Sequence, residues 1–368
     1  MSSLRIVVPE NFEEVGKKVN NNIQRIKDTK RDYIIKPKLI RFNNGEGKCL
    51  YDQSMRDKDV FFMSDVTNDS VGYECRSGMH YMMPDEHFQD IRRMINATCD
   101  QARKMTVVVP YLYQSRQDKR NGRESLDLAM ALRDLSNSGV RELVTADVHN
   151  KSACDNASQF MPIDNFYCSD DLILQLLDRE DFNVSQLMVA SPDFGAQLRA
   201  SFYASILGDV PLGVFHKQRD YGIVQDGLNP IMRHTLLYEG DIKGKNVIIV
   251  DDMIASGGSI IDSARKLKAM GTENVYLIAT FGLFTKGSMA KFDAAYEEGV
   301  FNKLYVTNLN YVPQEILARP WLEQVDCSMK LARIICRIHD GKPIQDLLSA
   351  DEETLGLINE KVRQKKRG

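Results

Sequence analysis

The sequence predicts an α/β protein with two domains of related build, each a mostly parallel sheet flanked by helices. Short apolar runs rich in β-branched residues alternate with stretches of helical periodicity, which is typical of strands covered on both faces. A helical stretch leads through a glycine into such a run twice, once in each half of the chain. The length of 368 residues suits two domains, each large enough to bury its own core.

The apolar runs define the predicted strands. They are residues 105–110, 143–146, 187–190, 247–250 and 275–279. After the fourth run, Ile260, Ala264 and Leu267 recur at helical spacing, and Gly271 stands where a glycine commonly ends a helix. The same order, from helix through glycine to strand, occurs around Gly139. Both halves are therefore predicted to repeat one βα arrangement.

Composition excludes several classes of protein. Hydrophobic residues make up 43% and charged residues 27% of the chain, which is the balance of a globular protein. The net charge of −3 disfavours a nucleic acid or an anionic membrane as the partner, and no apolar run reaches membrane-spanning length. The seven cysteines include no C-x-x-C pair, and the N-terminal residues lack a secretory apolar core. A reduced, cytoplasmic protein is expected.

Residues 247–259 give the strongest indication of chemistry. Four apolar residues are followed by Asp251 and Asp252, and then by a loop that enters a helix. The loop residues proposed to bind a phosphate are Ser256, Gly257, Gly258 and Ser259. Glycines let backbone N–H groups approach an anion, serines add hydroxyl donors, and the helix dipole favours negative charge. Paired carboxylates beside a phosphate suit sugar hydroxyls or Mg²⁺. An ordinary strand–turn–helix is the less favoured alternative.

This segment resembles the phosphoribosyl-pyrophosphate signature of type I phosphoribosyltransferases and ribose-phosphate pyrophosphokinases. The usual pattern has an acid and a threonine where this chain has Ala255 and Ser256. Serine keeps the hydroxyl group, whereas Ala255 lacks the carboxylate. The resemblance implies a type I phosphoribosyltransferase-like fold for each domain.

Further segments resemble the pyrophosphokinases rather than the transferases. They are 42–46 (F-N-N-G-E), 116–120 (R-Q-D-K-R), 147–149 (D-V-H), 191–195 (S-P-D-F-G) and 217–219 (K-Q-R). An aromatic ring can stack on adenine, and cations after a strand suit a triphosphate. Asp147 and His149 would share one face if their strand continues through them. Lys217 and Arg219, after a strand predicted to end at Phe215, would open a mobile lid.

The resemblance implies transfer of the diphosphoryl group of Mg-ATP to the 1-hydroxyl of ribose 5-phosphate, with release of AMP. Lys217 and Arg219 would neutralise charge on the transferred group. The implied ligands of ribose 5-phosphate are Asp251, Asp252, Ser256, Gly257, Gly258 and Ser259. The implied ligands of ATP are Phe42, Asn44, Glu46, Arg116, Gln117 and His149. Mg²⁺, the implied cofactor, would be held by His149 and Asp193.

The resemblance also implies domain roles and an oligomer. Residues 1–170, with an insertion at about 71–86, would contribute the nucleotide site, and residues 171–345 the phosphoribosyl site. The end of the second range is expected to pack back on the first domain, before a C-terminal helix and basic tail at 346–368. A dimer-based homo-oligomer, a hexamer in the family, is expected because Phe42 and Glu46 would serve a neighbouring subunit.

The sequence leaves alternatives open for the regulation and for the activity of the protein. Arg56 lies where the family binds a regulatory anion, but the neighbouring segment 63–67 differs from the family pattern, so phosphate activation does not follow. A catalytically silent regulatory homologue is favoured by Ala255 and by the insertion. A type I phosphoribosyltransferase is the weaker alternative, because no sequence for a base-binding hood is found.

Overall fold

The chain forms two compact units in the computed structural model, which describes residues 3–99, 101–120, 122–219, 231–350 and 352–366. The first unit comprises Met1–Cys168, Asn308–Pro313 and Asp326–Ser349, and the second comprises Ser169–Thr307, Gln314–Val325 and Ala350–Gly368. Two segments late in the sequence therefore belong to the first unit, although they follow most of the second unit along the chain.

The strands and helices alternate along most of the chain. The strands are β1 (Ser3–Val7), β2 (Ile34–Ile35), β3 (Lys38–Arg41), β4 (Gly47–Leu50), β5 (Lys58–Met63), β6 (Gly72–Cys75), β7 (Gly78–Tyr81), β8 (Lys104–Val108), β9 (Glu142–Ala146), β10 (Ile163–Phe166), β11 (Leu187–Ser191), β12 (Leu212–Arg219), β13 (Ile231–Leu237), β14 (Asn246–Ile254), β15 (Asn274–Gly282), β16 (Lys303–Thr307) and β17 (Leu322–Val325). The helices are α1 (Glu13–Ile26), α2 (Pro84–Asn96), α3 (Asp127–Asn137), α4 (Lys151–Ala157), α5 (Ser169–Arg179), α6 (Gln197–Ile206), α7 (Gly258–Ala269), α8 (Ser288–Glu297), α9 (Gln314–Leu317), α10 (Ser328–His339), α11 (Gln345–Leu348) and α12 (Glu352–Lys365).

The first unit is built on a six-stranded parallel sheet in the order β10-β9-β8-β5-β1-β2. Its core joins sheet residues such as Phe62 and Val107 to helix residues such as Ile91 and Leu132, all at most 1% exposed. Full burial of each such side chain contributes about 1.5–3 kcal/mol relative to exposure. Two antiparallel hairpins, β3–β4 and β6–β7, lie outside this sheet.

The second unit is built on a seven-stranded sheet in the order β13-β12-β11-β14-β15-β16-β17. Its described strands are parallel except β13, which pairs antiparallel with β12. The central strand β14 is apolar on both faces over Val247–Val250, where all four side chains are 0% exposed. This burial explains why the run is continuous rather than alternating.

The structure confirms the predicted mostly parallel sheets flanked by helices. Four of the five apolar runs lie wholly in strands, and β8 contains residues 105–108 of the run 105–110. The helix before Gly271 is α7, with Gly271 at φ +91° as the left-handed residue that follows it. Gly139 has φ +84° after α3 in the same arrangement. Three predicted strand ends were wrong, because β8 ends at Val108, β12 extends through Arg219, and β14 extends past its acid pair to Ile254.

Candidate active site

The predicted phosphate loop crosses from β14 to the first turn of α7. Gly257 adopts a left-handed conformation at φ +74° directly before the helix, which a residue with a side chain adopts only at a cost. A Cβ atom built at Gly257 would also lie 2.4 Å from Phe292 Cε2. Ser256 and Ser259 are exposed on either side of this turn. The first N–H groups of α7 have no partner within the helix, so the loop can bind an anion.

An aromatic cluster supports this loop. Phe292 stacks on Trp321 at 5.2 Å between ring centroids and meets Phe284 edge-on at 5.9 Å. The Trp321 indole N–H donates to Asp293 at 2.7 Å, so the largest ring is fixed at its polar atom. The cluster therefore holds Phe292 against Gly257 and leaves no room for a larger residue there. No pattern in the sequence predicted this cluster.

A second loop, residues 283–287, is tied to the phosphate loop. The backbone N–H groups of Leu283 and Phe284 donate to Ile254 O at 2.9 and 3.0 Å, and the N–H of Thr285 donates to Ala255 O at 3.1 Å. Lys286 follows, with an exposed side chain. Lys286 is not among the predicted site residues. Its position just after the end of β15 would have indicated it, because β15 pairs with β14 and ligands bind at the carboxyl ends of such strands.

Three carboxylates gather near the carboxyl ends of neighbouring strands. Asp251 and Asp252 lie on β14, and Asp193 follows β11, which pairs with β14. Burial and the adjacent carboxylate of Asp252 raise the pKa of Asp251 well above its usual range. Asp193 raises it further, while Arg199 on α6 opposes the shift. Such mutual repulsion is relieved when a cation or a sugar hydroxyl binds among the oxygens.

Asp193 is held by its own loop. The Ser191 hydroxyl donates to Asp193 O at 2.6 Å, and Asp193 Oδ1 accepts the N–H of Ala196 at 3.1 Å. The next residue, Phe194, is 54% exposed, and its ring lies 5.5 Å from that of His216. The carboxylate is therefore oriented by a backbone N–H, while the Ser191 hydroxyl holds the main chain of its loop.

The side chains of Lys217 and Arg219 lie outside the described residues, as does the middle of the predicted lid at 220–230. The backbone of both residues belongs to β12 and pairs with β13, with a register shift at Gln218/Arg219. The segment therefore starts as one strand of a hairpin and not as a loop after Phe215.

Residues 42–46 form a closed loop between β3 and β4 in the first unit. Phe42 N donates to Glu46 O at 2.7 Å, and Gly45 N donates to Phe42 O at 2.8 Å. Asn44 and Glu46 are linked twice, by Asn44 Nδ2 to Glu46 Oε2 at 2.9 Å and by Glu46 N to Asn44 Oδ1 at 3.2 Å. Phe42 is 48% exposed, with Lys48 Nζ 5.6 Å from its ring centroid. The loop thus has a partly exposed aromatic ring on a backbone that is fixed by hydrogen bonds.

The other predicted nucleotide ligands of the first unit occupy two loops. Arg116 is exposed, whereas the Gln117 amide donates to Ser125 O at 3.0 Å and so helps to fold its own loop. His149 is also exposed. The prediction that Asp147 and His149 share a strand face was wrong, because β9 ends at Ala146 and Asp147 takes the left-handed φ of +39°.

The candidate regulatory segment has internal partners. Asp65 is buried, and it accepts hydrogen bonds from the N–H and hydroxyl of Thr67 and from Tyr311 N at 2.6 Å. Burial raises the pKa of Asp65 to about 6, although these hydrogen bonds oppose the shift. Arg56 is exposed, with its N–H donating to Ser54 Oγ at 3.1 Å.

Comparison with known proteins decides between the two groups that share the phosphate-loop signature. A family model for the N-terminal domain of ribose phosphate pyrophosphokinase matches residues 5–139, and one for the phosphoribosyl synthetase-associated domain matches residues 228–349. A ribose-phosphate pyrophosphokinase of Synechococcus elongatus is 30% identical over 310 residues, covering 83% of this chain and 84% of the relative. The chain belongs to the ribose-phosphate pyrophosphokinase family.

Other members of the pyrophosphokinase family agree with this assignment. The ribose-phosphate pyrophosphokinase of Vibrio cholerae is 28% identical over 342 residues, which cover 91% of this chain and 98% of that protein. The crystal structure of phosphoribosylpyrophosphate synthetase from Mycobacterium smegmatis has a TM-score of 0.74 at 23% identity, covering 92% of this chain and all of that one. The predicted fold class is confirmed. Among the described residues, no helix combines the length and apolarity needed to cross a bilayer.

Proposed function

We propose that this chain is an active ribose-phosphate pyrophosphokinase. Ribose 5-phosphate would bind with its phosphate on the loop 256–259 and its ring hydroxyls on Asp251 and Asp252. The observation that carries the proposal is this combination: a left-handed Gly257 at the N-terminus of α7, joined by a short loop to a carboxylate pair on β14. A catalytically silent homologue would not need both a phosphate loop and two adjacent carboxylates that repel each other.

In the proposed reaction the 1-hydroxyl oxygen of ribose 5-phosphate attacks the β-phosphorus of ATP. The bond between the β-phosphorus and the oxygen bridging it to the α-phosphorus breaks, AMP leaves, and the hydroxyl proton passes to solvent. Phe42, Asn44 and Glu46 would contact the adenine, and Arg116, Gln117 and His149 the rest of the nucleotide. Catalysis then rests on positioning and on charge stabilisation, because no covalent enzyme intermediate is required.

Mg²⁺ fits the donor set of the second unit. Carboxylate oxygens are ligands that Mg²⁺ prefers, and the raised pKa of Asp251, which follows from burial and from Asp252, marks a carboxylate that a cation would stabilise. Asp193 and His149 would hold the Mg-ATP complex. Bound Mg²⁺ would supply charge neutralisation for the phosphate oxygens. We also propose the dimer-based homo-oligomer and an anion contact by Arg56 from family resemblance, and the cytoplasmic location from the cysteine pattern.

Lys217 provides a test of the proposed charge stabilisation. Lys217→Ala is expected to lower AMP release about 10²-fold, the scale for losing one preorganised donor at a developing charge. Steady-state rates with saturating ATP and ribose 5-phosphate measure the effect. Lys243→Ala, in the turn before β14, is a control that should keep wild-type turnover. Turnover within twofold of wild type in Lys217→Ala would remove this lysine from the mechanism.

Lys286 provides a test of where the sugar phosphate binds. Because the loop 283–287 is bonded to Ala255, a lysine there can add a charge-assisted contact to the bound phosphate. Lys286→Ala is expected to raise the KM for ribose 5-phosphate about tenfold while the KM for ATP stays constant. Lys291→Ala, which removes an exposed charge on α8, is the matched control. Equal KM values for ribose 5-phosphate in the two variants would contradict this assignment.

A further inference from the structure

The hairpin β6–β7, which lies in the predicted insertion, has no role in the chemistry above, yet it is firmly attached to α2. The Tyr73 hydroxyl donates to Glu86 Oε1 at 2.9 Å, and His80 Nε2 donates to Glu86 Oε2 at 2.8 Å. Burial favours the neutral form of Glu86, but hydrogen bonds from His80, Tyr73 and Met83 N outweigh it and lower the pKa of this carboxyl. Glu86 is therefore an ionised acceptor that fixes both strands of the hairpin.

The same hairpin contacts the loop 42–46. The N–H of Arg76, at the hairpin turn, donates to Asn43 O at 3.1 Å. The Tyr73 hydroxyl lies close to Gly45, since a Cβ atom built there would be 3.4 Å from it. Gly45 has φ +89°, so the loop also depends on a left-handed residue at the point where Tyr73 approaches it.

Tyr73 also fixes the residue that precedes the loop. The Arg41 guanidinium lies over the Tyr73 ring, 5.3 Å from its centroid, and Arg41 Nη2 donates to Asp90 Oδ2 on α2 at 2.5 Å. The side chains of Arg41 and Asp90 are only 8% and 6% exposed, so their pairing is shielded from solvent. Arg41 is thus clamped between α2 and the hairpin, directly before Phe42.

The packing around this attachment is interrupted. A cavity of about 160 Å³ lies beside it, lined by Gly72, Tyr73 and Met82 of the hairpin region and by Arg41 and Asn11, among other residues. The hairpin is therefore not packed continuously on the rest of the unit, and Tyr73 joins it to Glu86, to Arg41 and to the backbone at Gly45.

We propose that the hairpin β6–β7 positions the loop 42–46 for the nucleotide, with Tyr73 as the positioning residue. This inference rests on the proposed function, in which that loop contacts the adenine of ATP. A loop already held in its binding conformation loses less conformational freedom when the nucleotide binds, so the affinity for the nucleotide is higher. The hairpin thus sets nucleotide affinity without touching the nucleotide or the sugar site.

Tyr73→Ala tests this proposal in the full-length protein. We expect the KM for ATP to rise about tenfold, while kcat at saturating ATP and the KM for ribose 5-phosphate stay within twofold of wild type. Tyr73→Phe keeps the ring over Arg41 and loses the bond to Glu86, so an intermediate KM is expected. Tyr81→Ala is the matched control, because Tyr81 lies on the same hairpin with a side chain that is 54% exposed.

Hydrogen exchange of the loop provides a readout that does not require activity. The N–H groups of Phe42 and Gly45 are hydrogen-bonded within the loop, and they should exchange faster in Tyr73→Ala than in wild type or Tyr81→Ala. If wild type releases no AMP, the proposed function fails, and exchange still tests the hairpin. Unchanged exchange together with a KM for ATP equal to that of Tyr81→Ala would overturn the proposal. A fall in kcat accompanied by equal rises in the KM values for ATP and ribose 5-phosphate would also overturn it.

Discussion

Asp251→Asn combined with Asp252→Asn is expected to make the chain more stable and nearly inactive. In the absence of Mg²⁺ the pair lowers the stability of the folded chain, because burial and mutual repulsion disfavour its ionised form and raise the pKa of Asp251. Asparagine is isosteric and can still accept the bond that Asp252 N donates to Asp251 Oδ1 at 2.9 Å. Removing about 1 kcal/mol of repulsion would raise the midpoint of thermal unfolding by about 2–4 °C. AMP release should fall about 10³-fold, since a metal–carboxylate contact is worth several kcal/mol.

The stability difference between the wild type and the double variant should depend on pH. A carboxyl group with a raised pKa in the folded state binds its proton more tightly there than in the unfolded chain. The wild type therefore loses stability as pH rises from the usual pKa of aspartate towards the raised value, and the double variant lacks this loss. Thermal unfolding in EDTA from about pH 4 to about pH 8 measures it.

Asp262→Asn is the control for the acid pair, because Asp262 lies on α7 with a side chain that is 57% exposed. It should match the wild type in stability, in activity and in the stabilisation that Mg²⁺ adds. The double variant should lose the stabilisation by Mg²⁺. A double variant that is less stable than wild type in EDTA, or that keeps more than a tenth of its activity, would contradict the assigned role of the pair.

Gly257→Ala is expected to damage both the fold of the loop and the reaction. The left-handed conformation costs a residue with a side chain about 1–2 kcal/mol, and the overlap with Phe292 adds about 1–3 kcal/mol. A phosphate loop displaced by this overlap misplaces the sugar, so AMP release should fall by about 10²- to 10³-fold. Steady-state rates and urea unfolding measure the two effects.

Gly244→Ala is the control that separates the effect of backbone strain from the effect of displacing the phosphate loop. Gly244 has φ +71°, close to that of Gly257, but nothing lies within 4 Å of a Cβ atom built there. This control should lose about 1–2 kcal/mol of stability and keep turnover within twofold of wild type. If both glycine variants lose activity equally, the loss comes from general destabilisation and the phosphate loop has no special part in it.

The sequence was sufficient for the fold class and for the main elements of the second unit. Continuous β-branched runs that alternate with helices are typical of buried parallel strands, and Gly257 and Gly271 mark local backbone geometry that few other residues allow. The carboxyl ends of β11 and β14 are neighbours because the strands are parallel, so Asp193 and Asp251 lie at one edge of the sheet.

Other features depended on contacts distant in sequence. The aromatic support of Gly257 comes from Phe292 and Trp321, which no local pattern connects to the loop. Asp147 turns out of its strand through a left-handed φ that a non-glycine residue seldom adopts. The hairpin β6–β7 was visible only as an interruption, because its contacts join Tyr73 to Arg41 on a separate strand.

The most direct test of the account follows the phosphorus atoms of ATP by ³¹P NMR. Wild-type protein with Mg-ATP and ribose 5-phosphate should yield AMP and a diphosphoryl group attached to C1 of the sugar, in equal amounts. Without ribose 5-phosphate, AMP should not accumulate. Formation of ADP and a singly phosphorylated sugar product, or no reaction in a protein that binds both substrates, would contradict the assigned diphosphoryl transfer.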